Sequence, residues 1–115
     1  MKYQALDVLL VEDDPDDLEL TLHTLREARI TNPIQVARDG QEALDYVFGR
    51  GPYANAGAPM LRLILLDLKL PKVDGLEVLR QIKEDPRTSA IPVVILTSSR
   101  EEKDLVASIG GRGLT

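Results

Sequence analysis

Three short stretches of this chain place oxygen-bearing side chains at the ends of apolar runs. Glu12, Asp13 and Asp14 follow Leu6 to Val11, a run broken only at Asp7; Asp67 follows Leu61 to Leu66; Thr97 follows Ile91 to Leu96. If the runs ending at Val11 and Leu66 lie side by side, Glu12, Asp13 and Asp67 converge on one small site. Three carboxylates so placed repel one another, and a cation relieves that repulsion. All-oxygen ligation by one or two carboxylates plus water suits a hard ion such as Mg²⁺, which commonly works beside phosphate. Taken singly, each group has an ordinary explanation, the acidic triplet as a solvated helix cap and Asp67 and Thr97 as strand ends. Asp14 is assigned to the cap.

The elements that must position these groups alternate along the chain. After the first apolar run, Asp14 can cap a helix with Pro15 in its first turn, where the missing N–H matters least, and Asp16 and Asp17 suit the positive end of the helix dipole. Leu18, Leu22 and Leu25 recur at helical spacing to about Arg29. Pro33 to Ala37 reads as a short strand, followed by Asp39-Gly40 and a helix around Gln41 to Phe48. Gly49 to Pro59 is rich in Gly, Ala and Pro and reads as a loop. Leu61 to Leu66 is apolar enough for a strand covered on both faces. Asp74-Gly75 starts a helix in which Leu76, Leu79 and Ile82 share a face, with Pro86 beyond its end. Ile91 to Leu96 is a fourth strand, and Glu101 to about Ile109 a fourth helix, before Gly110-Gly111-Arg112-Gly113 stops it. Strands alternating with helices imply a parallel sheet covered on both sides, an α/β doubly wound fold. In such sheets ligands bind at the carboxyl ends of the strands, where the three acidic or hydroxyl groups fall.

With these residues in place a resemblance is plain. Val11-Glu12-Asp13-Asp14, then Leu66-Asp67-Leu68-Lys69-Leu70-Pro71-Lys72-Val73-Asp74-Gly75-Leu76, then Ile95-Leu96-Thr97-Ser98 resemble the three motifs of response-regulator receiver domains. The similarity runs from about Leu6 to Ser108. It implies the flavodoxin-like, CheY-like receiver fold with strand order 2-1-3-4, a receiver domain over residues 5–109 and a tail over 110–115. It implies Asp67 as phosphoacceptor and Asp13 as a direct Mg²⁺ ligand. Glu12 would bind the ion directly or through water, and the Lys69 carbonyl would supply a further metal oxygen. The Thr97 hydroxyl would hydrogen-bond a phosphoryl oxygen, and Pro71 and Gly75 would shape the loop after Asp67. The loop around Gly51 to Pro59 and the phrase Lys83-Glu84-Asp85-Pro86 resemble stand-alone receivers paired with bacterial phytochrome kinases. A sensor histidine kinase is the implied partner.

The chain also departs from that family. Receivers continue into a fifth strand ending in lysine and proline, then a fifth helix, and nothing after Thr97 matches; Lys103 lies inside the expected fourth helix. The family's lysine, which pairs with the phosphoryl group, passes to no residue here. The expectation is a receiver shortened at its C-terminus. It would expose Pro92 to Leu96 as an apolar sheet edge and associate as a homo-oligomer through that strand or the uncovered helix face.

The bulk numbers limit the other function classes. The chain has 115 residues, net charge -5 and no cysteine, which favours one domain and disfavours nucleic-acid binding, disulfides and thiolate metal sites. Tyr3, Tyr46, Phe48 and Tyr53 are its aromatic residues, so the core is expected to be aliphatic. No apolar run approaches a membrane span, and a cytoplasmic location is expected. His23, off the leucine face of its helix, is a surface residue and a poor phosphocarrier. Two alternatives to phosphoryl acceptance stand beside it: an interaction module whose switching has been lost, and a metal-dependent phosphohydrolase. The second lacks a carboxylate two residues after Asp67, where Lys69 stands, and lacks a dedicated acid or base. No turnover of a separate substrate is expected, only self-dephosphorylation.

Overall fold

The computed structural model describes residues 7–54 and 61–96. In chain order these form β1 (Asp7–Val11), α1 (Pro15–Glu27), β2 (Ile34–Ala37), α2 (Gly40–Phe48), a 3-10 turn (Gly51–Tyr53), β3 (Leu61–Leu66), α3 (Gly75–Glu84) and β4 (Val93–Ile95). The sheet is parallel with order β2-β1-β3-β4, the expected one. Thr97, Lys103, the helix expected from Glu101, the tail at 110–115 and part of the loop at 55–60 lie outside the described residues. The question of a fifth strand and helix lies there too.

The period of two along a strand builds two cores. Leu9, Val11, Ile64 and Leu66 pack with Val78, Leu79 and Ile82 of α3 and Ala43, Leu44 and Val47 of α2. The intervening Val8, Leu10 and Leu65 face the other way, toward Leu18, Leu22 and Leu25 of α1. The α2/α3 side is the drier one. Leu79, Ile82 and Val78 are fully buried, whereas no residue of α1 is. Each fully buried aliphatic side chain contributes about 1.5–3 kcal/mol, so α3 is held more firmly than α1.

Helix ends follow their caps. The Asp14 carboxylate accepts from the Asp16 and Asp17 N–H groups, as expected from the sequence. Asp39 caps α2 through the Glu42 N–H, and Gly49 ends that helix with φ of 65°, the left-handed conformation that glycine adopts most easily. Asp74 caps α3 through the Leu76 N–H. At the far end the buried Thr88 hydroxyl donates to the Ile82 carbonyl at 2.6 Å.

Some boundaries differ from expectation. α1 ends at Glu27, two residues early, with Arg29 at φ of 63° turning the chain. The strand expected from Ile91 is shorter, β4 covering Val93–Ile95, with Pro92 and Leu96 each adding one bond to β3 at its ends. Residues 51–53 of the expected loop close a 3-10 turn. The core is not wholly aliphatic. Tyr46 is buried in it because its hydroxyl finds the Asp7 carboxylate at 2.9 Å, which satisfies the polar end of an otherwise apolar side chain.

Candidate acidic site at the carboxyl end of the sheet

The ladder runs one step past the strands and sets the site. Glu12 N–H donates to the Ala37 carbonyl, and Asp67 N–H donates to the Val11 carbonyl at 3.1 Å. The backbone of Asp67 is therefore fastened beside the residue that precedes Glu12. Glu12, Asp13 and Asp67 each offer an oxygen, and the three atoms lie within 4.8 Å of one another. The convergence expected from neighbouring strands is what the register of β1 on β3 produces.

The three carboxylates are not equivalent. Glu12 is 4% exposed, Asp67 is half-buried, and Asp13 is the most open of the three. Burial pushes the Glu12 carboxyl up from 4.5 to about 7; the Asp14 N–H opposes this, and the adjoining Asp67 carboxylate adds to it. That N–H reaches the Glu12 Oε2 at 3.2 Å. A buried acid beside another carboxylate, with one hydrogen bond to steady it, is a group whose ionised form is incompletely compensated. A divalent cation would supply that compensation. The donor set is all oxygen and fits a hard ion.

Asp67 is oriented from below by its own turn. Lys69 N–H donates to the Asp67 Oδ1 at 3.2 Å, leaving the other oxygen unengaged by that bond. Gly75 then lets the start of α3 press on the loop. Its N–H reaches the Leu68 carbonyl at 3.2 Å, and a Cβ there would fall 2.5 Å from the Leu68 Cα and 2.6 Å from the Asp67 carbonyl oxygen. Asp74-Gly75 is thus more than a turn and helix start.

Four of the five expected site residues, Glu12, Asp13, Asp67 and Lys69, are brought together here. The fifth, Thr97, lies outside the described residues; Leu96, which precedes it, pairs its N–H with the Leu66 carbonyl. His23 stands on the exposed side of α1 beside Glu27, away from the carboxylates. Asp39 and Gly40 had no role in the sequence reading, yet both meet the loop after Asp67, within which Lys72 lies. The left-handed φ of 68° at Lys72 also marks that loop as constrained, and no sequence pattern announces it.

An open parallel sheet with order 2-1-3-4, whose carboxyl edge gathers two further carboxylates around a half-buried aspartate, defines a phosphoacceptor of the receiver type. Residues 8–113 match the response regulator receiver domain, and the chain belongs to that family. It is 45% identical over 101 residues to Response regulator Rcp1 of a Synechocystis species, covering 88% of this chain and 67% of that protein. The structure of the bacteriophytochrome response regulator AtBRR superposes with a TM-score of 0.88 at 51% identity, over 98% of this chain and 82% of that one. The phosphorylated cyanobacterial phytochrome response regulator RcpA does so with 0.80 at 41% identity, over 93% and 76%. Rcp1 itself has been solved in a Mn²⁺-bound form, to which this chain superposes with 0.81 at 40% identity, over 91% and 76%. The chain spans 67% of the length of Rcp1, 61% of that of the probable methanogenesis regulatory protein FilR2 of Methanothrix harundinacea and 82% of that of the AtBRR chain. It is a two-component receiver domain that accepts a phosphoryl group, and the non-accepting interaction module is not favoured.

Proposed function

We propose that Asp67 is the phosphoacceptor and that Glu12, Asp13, Asp67 and the Lys69 carbonyl form a Mg²⁺ site. The carrying observation is the convergence of the three carboxylates at the tips of the adjacent strands β1 and β3. The ion, when bound, offsets negative charge on the incoming phosphoryl group. The Asp67 carboxylate oxygen attacks phosphorus of a phosphohistidine on the donor. The O–P bond forms, the P–N bond breaks, and the released imidazole takes up a proton. The Lys69 N–H on Oδ1 holds the carboxylate in one orientation for that attack. Glu12, deepest of the three, would gain from the ion a counter-charge that its buried carboxylate otherwise lacks. Thr97 is assigned the hydrogen bond to the phosphoryl oxygen after transfer.

The donor is assigned as a sensor histidine kinase of the phytochrome type, because AtBRR and RcpA are phytochrome response regulators. Self-dephosphorylation is the only hydrolytic step assigned. Net charge of -5 supports protein rather than nucleic-acid partners. No helix among the described residues is long and apolar enough to cross a membrane, and a cytoplasmic site of action fits a kinase partner. β4 is one of the two edge strands among the described residues, with Val94 and Ile95 partly exposed; association of two copies there or along α1 is the assigned oligomer. Light scattering that shows a monomer at micromolar concentration removes the oligomer assignment. Phosphotransfer from acetyl phosphate with Mg²⁺, read by intact mass, tests the main one. The parent chain gains one phosphoryl group and Asp67→Asn gains none; equal labelling of both would overturn it.

A further inference from the structure

The loop that follows Asp67 is gripped at its middle by the start of α2. Gly40 N–H donates to the Pro71 carbonyl at 3.3 Å. A Cβ on Gly40 would lie 1.9 Å from the Val73 carbonyl oxygen and 2.7 Å from its carbon, so only glycine allows the two backbones to meet. Asp39 divides its carboxylate between two tasks. Its Oδ1 caps α2 through the Glu42 N–H at 2.7 Å, and its Oδ2 faces the Lys72 Nζ at 3.4 Å. Between these points Lys72 holds φ of 68°, which a side-chain-bearing residue keeps only where its surroundings impose it. Glycine contacts thus pin the loop twice, at Gly75 on the Asp67 side and at Gly40 on the far side, with Lys69 between.

We infer that Gly40 and Asp39 are positioning residues for phosphoryl acceptance: the N-terminus of α2 sets the path of the loop 68–74, and through it the place of the Lys69 carbonyl beside Asp67. The inference rests on the assignment of that carbonyl and Asp67 to the metal site. Neither Gly40 nor Asp39 touches the ion or the phosphoryl group; they act through the backbone of Pro71, Lys72 and Val73.

The test compares Mg²⁺ affinity by calorimetry with backbone amide exchange at Lys69 to Lys72. Gly40→Ala should weaken Mg²⁺ binding about tenfold, the usual effect of disturbing the groups that orient a ligand, and speed exchange across the loop. Gly49→Ala is the control. It strains a left-handed glycine with nothing within 4 Å, so it lowers stability without touching the loop, and its Mg²⁺ affinity should equal the parent's. Asp39→Asn keeps a helix cap while removing the charge that faces Lys72; it should raise exchange at Lys69 to Lys72 and weaken Mg²⁺ by a smaller factor. If Gly40→Ala does not fold, Asp39→Asn decides. Parent-like affinity and exchange in the folded variants would overturn the inference. Asp67→Asn runs in parallel: if it binds Mg²⁺ as the parent does, the site assignment fails instead of the positioning one.

Discussion

Glu12→Gln isolates the energetic consequence of burying an acid beside Asp67. The carboxyl is 4% exposed and is pushed from 4.5 to about 7, by burial first and the Asp67 carboxylate after it, against the pull of the Asp14 N–H. A change of that size separates the protonated and ionised forms by about 3 kcal/mol in the folded protein. The folded-state value lies above the unfolded one, so folding favours the protonated form. The linked stability is fully present below about 4.5 and is lost as pH rises through about 7. Glutamine keeps the shape and an oxygen for the Asp14 N–H but cannot ionise. In chelator, urea unfolding of parent and variant should give nearly equal stability at about pH 4.5 and a variant advantage approaching 3 kcal/mol at about pH 8. Saturating Mg²⁺ should reverse the order at the higher pH, because ionised Glu12 then has a counter-charge. Two stability curves that stay parallel across this range would refute the reasoning.

Further outcomes follow from the packing and the caps. Leu79→Ala empties a fully buried site on α3 and should lower unfolding free energy by about 2–5 kcal/mol in urea. Asp14→Ala removes the acceptor of the Asp16 and Asp17 N–H groups and should lower it by about 1 kcal/mol, with parent-like Mg²⁺ affinity. Thr88→Val leaves the Ile82 carbonyl without its donor and should lower it by about 1–3 kcal/mol, read by thermal unfolding. Millimolar Mg²⁺ should raise the parent's Tm reversibly with chelator, and Asp13→Asn should shrink that increase; an unchanged increase would remove Asp13 from the site.

What the chain determines by itself is local. Asp14 before Pro15, Asp39 before Gly40 and Asp74 before Gly75 announce helix starts, because a cap bonds N–H groups two or three residues away. The alternation that sends Leu9 and Val11 to one core, and Val8 and Leu10 to the other, is likewise set by the strand's period of two. Motif order and spacing were enough to name Glu12, Asp13 and Asp67. Only the tertiary structure decides what these residues feel. The register of β1 on β3 brings Asp67 against Glu12 and turns an ordinary glutamate into an acid near neutrality. The packing of α2 takes Tyr46 into the core onto Asp7 and closes Gly40 upon Val73. Those contacts join segments far apart in sequence, where desolvation and close backbone approach depend on how elements pack and leave no mark on residue spacing.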